Sequence, residues 1–289
     1  MNIGRLFLLT LLIATPTWAQ TEKTELVPGA LMEAALENAA GSSLMGEYTY
    51  RLKVTQRQLI RSTPTIGSAV YETYAPTVKL QGETKFVLIK IEENGAPVSA
   101  RKVLEERQQK SEELARLDEE ARQQNVAATP TPASGSAKTA YFTIVGPTGI
   151  KLSVETVIRN SEFVMLRIES VDGRPTAVLS FRLKPDSELD FFEQWLLKVS
   201  GLLWIDLADK VLIRLSAWAQ DDAAQKSKPV ARYESRLMPD GQWLPREGQI
   251  NAINNAAVFG SLNTDLTMVF SKYERNIQDV KITSPQRKP

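Results

Sequence analysis

Residues 163–183 read FVMLRIESVDGRPTAVLSFRL, and their pattern decides the fold. Phe163 to Val171 is a strand-length run rich in β-branched and aromatic residues. Asp172-Gly173 interrupts it with the residue pair that tolerates positive φ at both turn positions. From Thr176 to Leu183 the chain alternates, with Leu179, Phe181 and Leu183 on one side and Ser180 and Arg182 on the other. Two such runs around an Asp-Gly step predict an antiparallel hairpin with one buried face.

The same grammar extends in both directions. Asn94-Gly95 closes a run over Thr84 to Glu92, and Asp240-Gly241 separates Ala231–Met238 from Trp243-Leu244-Pro245. Tyr48 to Leu59 alternates with Tyr48, Tyr50, Leu52 and Val54 on one face, a half-buried strand. A polar turn around Ser62–Gly67 leads into Ala69–Tyr74. Gly201–Asp206 turns through Leu207–Lys210 into Val211–Trp218, and two further strands end near Phe270. Three Asn-Gly or Asp-Gly turns among alternating segments predict a meander of roughly ten strands.

Helical periodicity is confined to a few places. Pro28 to Ala40 carries a stripe of Leu31, Ala35, Leu36 and Ala39 ahead of Gly41, and Ser153 to Asn160 carries Val154, Val157 and Ile158. Glu188 to Val199 is predicted helical with Phe191, Trp195, Leu196 and Val199 inward. Ser99 to Gln124 holds six basic and seven acidic residues between Arg101 and Arg122, with opposite charges at i,i+4, and reads as a solvated helix. Val126 to Thr139, with two Thr-Pro steps and Ala-Ser-Gly-Ser, reads as a flexible tether. The expected architecture is mainly β with helices (α+β): a large curled antiparallel sheet or unclosed β-barrel, covered on its concave face by helices. One domain over 20–289 is expected, with the charged helix and tether inserted at about 99–139.

The first residues predict a route out of the cell. Arg5 precedes an apolar run, Leu6–Ala14, and Thr17-Trp18-Ala19 ends in small residues suited to a signal peptidase. As a helix that run reaches only about 14 Å, against a bilayer core of roughly 30 Å. Cleavage after Ala19 is expected, for a periplasmic or secreted protein without a transmembrane segment. No Cys follows the run to carry a lipid anchor.

Composition narrows the chemistry. The 289 residues hold 35 Lys and Arg against 34 Asp and Glu, and loss of Arg5 leaves 34 against 34. That balance argues against a nucleic-acid partner. There is no Cys and no His, which removes thiolate nucleophiles, Ser-His mechanisms and the usual transition-metal ligands. Asp206 and Asp209, and the adjacent Asp221 and Asp222, sit in loops where Asp serves as a turn residue, without the regular spacing of a calcium loop. No catalytic residue, metal site or cofactor is nominated, and a non-enzymatic role is expected.

Candidate binding residues come from the two faces of the strands. Leu166, Phe181, Leu203, Ile205, Ile213 and Leu215 are expected to line an apolar interior that is either a filled core or a ligand pocket. Trp204, Arg214 and Trp218, on the opposite face, are the candidates for a surface recognition patch, with packing beneath cover as the alternative.

Gly173–Pro185, Val199–Asp206 followed by Val211–Leu215, Asp240-Gly-Gln-Trp-Leu-Pro245 and Phe270–Tyr273 resemble envelope proteins of the LolA/LolB-like, lipoprotein-sorting type. The resemblance spans roughly residues 150–275. It implies an unclosed barrel plugged by helices, and a hydrophobic ligand, lipid or lipoprotein as partner. The alternative is an envelope interaction protein that engages a protein partner through the charged helix and tether.

Overall fold

The structure, a computed structural model, describes residues 27–39, 44–60, 63–80, 83–123, 143–145, 151–220, 228–259 and 264–275. The expected signal peptide, the tether and the Asp221-Asp222 pair lie outside them. The strands are β1 (Tyr48–Ile60), β2 (Thr63–Leu80), β3 (Glu83–Glu93), β4 (Ala96–Pro97), β5 (Thr143–Val145), β6 (Lys151–Ser153), β7 (Ser161–Val171), β8 (Arg174–Leu183), β9 (Val199–Asp206), β10 (Val211–Ala219), β11 (Ala231–Leu237), β12 (Trp243–Asn251) and β13 (Thr264–Arg275). The α-helices are α1 (Pro28–Glu37), α2 (Ala100–Gln123), α3 (Val154–Asn160) and α4 (Ala256–Phe259).

Eleven strands form one antiparallel sheet in the order β4-β3-β2-β1-β13-β12-β11-β10-β9-β8-β7, which stays open; β5 and β6 pair separately. Two meanders, β1 to β4 and β7 to β13, are joined where β1 meets β13, with Tyr48 opposite Arg275 and Gln58 opposite Thr264. The predicted turns form as expected: Asn94, Gly95, Asp172, Gly173 and Gly241 all have positive φ. β2 begins at Thr63, so its strand already includes most of the segment read as a polar turn.

One face of the sheet carries the plug. Ala177, Leu179, Phe181 and Leu183 of β8, Leu203 and Ile205 of β9, Leu215 of β10 and Tyr233 of β11 pack with Leu31, Met32 and Ala35 of α1 and Val154, Val157 and Ile158 of α3. Ser153 caps α3, its hydroxyl accepting from the Thr156 N–H. Gly201 is required here: a Cβ would lie 2.2 Å from the Ser216 carbonyl oxygen and 2.5 Å from Cε1 of Phe181. The Phe181 ring therefore rests on bare backbone.

Two β-bulges revise the predicted faces. In β10 the register shifts between Leu212 and Arg214. The extra residue inverts the alternation, so Leu212 joins the plugged core while Val211 and Ile213 join a cluster with Val178, Leu202, Trp204, Trp218 and Trp243. Ile213 therefore does not share the interior with Leu203 and Leu215. In β7 Leu166 sits at the shift between Met165 and Arg167, off the core side held by Phe163 and Met165, and is 49% exposed.

The helix predicted over 188–199 is a short 3-10 segment, Gln194–Lys198. Phe191, expected inward, is 84% exposed. The cause is local bonding: Asp190 accepts from the Phe192 N–H, and the Phe192 carbonyl accepts from the Lys151 N–H of β6. Those bonds use the groups a helix would need. Trp195 and Leu196 remain buried as expected.

The charged helix α2 packs on β2 and β3, against the face opposite the plug. Its Lys110 ammonium donates to the Leu88 carbonyl, and Glu106 accepts from the Lys90 N–H. Val70 and Ile89, which share that face, are buried. Among the described residues no helix is long and apolar enough to cross a membrane.

Candidate functional site

The plug and the sheet do not coincide over their whole width. α1 and α3 pack over the β7–β10 side, and on β1–β3 the same face carries a trough. Its shape follows from side-chain size. Along β2 the residues on this face are Thr65, Gly67, Ala69 and Tyr71, paired across β1 with Gln58, Gln56, Val54 and Leu52. Small Gly67 and Ala69 make a floor, and the longer Gln56 and Gln58 make one wall. Across β3, Glu93 lies opposite Ala69 and Lys90 opposite Tyr71, making the other wall. Asn94 closes the rim, its side-chain carbonyl accepting from the Ser68 N–H at 3.0 Å. The trough is open along one side and its volume is about 360 Å³.

The electrostatics of the trough are nearly neutral. Lys90 Nζ lies 2.9 Å from Glu93 Oε1. The hydrogen bond to Glu93 raises the Lys90 pKa above the ordinary lysine value, and the same bond lowers that of Glu93. Each charge is answered by the other. The remaining polar groups are amides and hydroxyls.

The residues nominated from sequence fall elsewhere. Phe181, Leu203, Ile205 and Leu215 come together, all nearly or fully buried in the plugged core. Leu166 and Ile213 do not join them. Trp204 and Trp218 are 8% and 9% exposed within the second cluster. The Trp204 indole N–H donates to Glu169 at 2.7 Å. The Arg214 guanidinium lies 5.4 Å over the Trp204 ring and 3.0 Å from the Glu234 carboxylate. Its charge is engaged within the sheet.

The trough residues escaped the sequence reading, though a signal was present. On β1 the face occupied by Leu52 and Val54 continues with Gln56 and Gln58. A face that turns from aliphatic to amide within one strand marks the end of the core.

The acidic pair at the β9–β10 hairpin is structural. Asp206 Oδ1 accepts from the Ala208 and Asp209 N–H groups at 3.0 and 2.8 Å, the turn role expected of it. Arg174 bridges both carboxylates, at 2.6 and 2.8 Å to Asp206 and 2.6 Å to Asp209. Trp243 donates its indole N–H to Asp209. Burial pushes the Asp206 pKa up, but Arg174 and the turn amides outweigh it and hold the carboxyl below the ordinary aspartate value. These bonds commit the Asp206 carboxylate to the hairpin and to Arg174. Glu193 is the contrasting case. Buried beside Thr156, which donates to it at 2.9 Å, its carboxyl is raised above the ordinary glutamate value by desolvation. Among the described residues no His, Cys, Asp or Glu group is arranged to hold a metal ion.

No family model and no curated protein matches the chain. It is similar to solved structures of lipoprotein-sorting and LolA-superfamily proteins. A domain of an outer membrane lipoprotein-sorting protein from Vibrio parahaemolyticus is 9% identical, with 86% of this chain and 92% of that one covered and a TM-score of 0.35. A LolA superfamily protein from Nitrosomonas europaea is 11% identical, with 86% and 92% covered and a TM-score of 0.30. The lipoprotein LppX from Mycobacterium tuberculosis is 9% identical, with 87% and 98% covered and a TM-score of 0.27.

Proposed function

We propose that this chain is a non-enzymatic envelope carrier, exported by its N-terminal segment, that holds an amphipathic ligand on the plug-bearing face of its sheet. The observation that carries the reading is the trough on β1–β3, a concave site of about 360 Å³ beside the packed core. Small-molecule sites fall in this size range. The paired carboxylates at the hairpin are committed to Arg174 and to backbone, which favours holding over chemistry. The apolar part of the ligand is expected beyond the trough, along the edge of the core that Val54 packs against.

Native mass spectrometry of protein purified without detergent tests the reading directly. A co-purifying ligand, or uptake of a fluorescent fatty-acid probe at micromolar concentration, is the expected result. A protein that is empty and takes up no amphiphile would sink the carrier role. The second reading, capture of an envelope protein by the charged helix and tether, draws on the exposure of α2 and its Arg101–Glu105 pair. Deleting 99–139 separates the two: loss of partner capture with ligand uptake retained would favour interaction.

A further inference from the structure

Resting on that carrier reading, we infer that the trough takes the uncharged, hydroxyl- and amide-bearing headgroup of the ligand, a saccharide unit in chemical class, and that the acyl tail lies outside it. The lining carries the inference. An acyl chain laid along β2 would press methylenes onto the side-chain amides of Gln56 and Gln58 and the Thr65 hydroxyl. Each would then lose water and gain no partner, which is unfavourable. Neither glutamine side chain is hydrogen-bonded within the described residues, so both amides are available, each with two donors and a carbonyl acceptor.

The charges favour a neutral headgroup. A phosphate or carboxylate needs an uncommitted cation, and a quaternary amine an uncommitted anion or an aromatic cage. Lys90 and Glu93 neutralise each other across 2.9 Å. Tyr71, at the end of the floor, presents one aromatic ring. A pyranose suits this combination, because one side of its ring is a C–H surface that packs on an aromatic face while its rim offers hydroxyls to planar amides. Gly67 leaves the place where such a ring would sit: a Cβ there would meet only Asn94 Oδ1, at 3.8 Å.

The test uses the full chain with two neutral probes, tetra-N-acetylchitotetraose and maltotetraose, followed by NMR chemical-shift mapping and titration. Binding of at least one probe is expected, with shifts confined to residues 54–71 and 90–94. Gly67→Gln, which fills the floor, and Tyr71→Ala should each weaken that binding at least tenfold, while thermal unfolding confirms that both variants fold. Bound fatty-acid probe should survive addition of the saccharide. If neither saccharide binds, or if Gly67→Gln expels the fatty-acid probe instead, the headgroup assignment is overturned and the carrier reading stands. Failure of both probe classes removes both.

Discussion

Single residues carry much of the specificity of this sheet. A methyl group at position 201 would collide with the Ser216 carbonyl oxygen, which belongs to the paired strand and cannot move aside alone. Gly201→Ala should therefore cost about 2–3 kcal/mol, at the upper end of overpacking effects, read from urea midpoints. Asp206 is fully buried and Arg174 is its main partner. Arg174→Met should cost about 3–5 kcal/mol, because it strands a buried charge. The pH dependence has a defined sign. Asp206 titrates below the ordinary aspartate value, so its contribution is present above that value and is lost as pH falls through the folded pKa. Glu193 runs the other way: its folded pKa is raised, so stability is greatest below the ordinary glutamate value and declines as pH rises through the folded one. Glu193→Gln should remove the decline that begins above the ordinary glutamate value, and Arg174→Met should change the loss below the ordinary aspartate value; a curve unchanged by either variant would refute the assignment.

Secondary-structure elements show where sequence reasoning holds and where it stops. The hairpins at Asn94-Gly95 and Asp172-Gly173 were legible because their φ values demand those residue types. The helices α1, α2 and α3 were legible from apolar spacing or charge pairing. The bulges at Leu166 and Ile213 were not, since one extra residue among apolar neighbours leaves no mark on composition yet inverts the face of every later residue in the strand. The 188–199 segment failed for another reason: the Lys151–Phe192 bond comes from a strand some forty residues away, and no local pattern encodes it. The trough was half legible, through the change from Val54 to Gln56, but its opposite wall depends on the register of β3. The revision at 188–199 makes its own prediction. Phe191→Ser should change stability by no more than about 0.5 kcal/mol, as at any exposed site, whereas Leu196→Ala should cost about 2–5 kcal/mol. Equal effects in thermal melts would restore the helix.

At the scale of the whole molecule, the two meanders differ in how they are held. The β7–β12 side is packed beneath the plug, whereas the β2–β4 ribbon leans on α2. Deleting residues 100–123 should leave the plugged side folded and raise hydrogen exchange and protease cleavage across 63–97. Protection spread evenly over the sheet after that deletion would show the ribbon to be self-supporting. The seam between the meanders has a further consequence in time. β1 and β13 pair Tyr48 with Arg275, so β1 gains its second neighbour only after every strand between them has been made. Closing so long a loop is slow, and until it happens β1 presents an open edge. The exposed edge of β1 thus lasts until β13 arrives, and a holdase that shields it during that wait should raise the yield of folded protein.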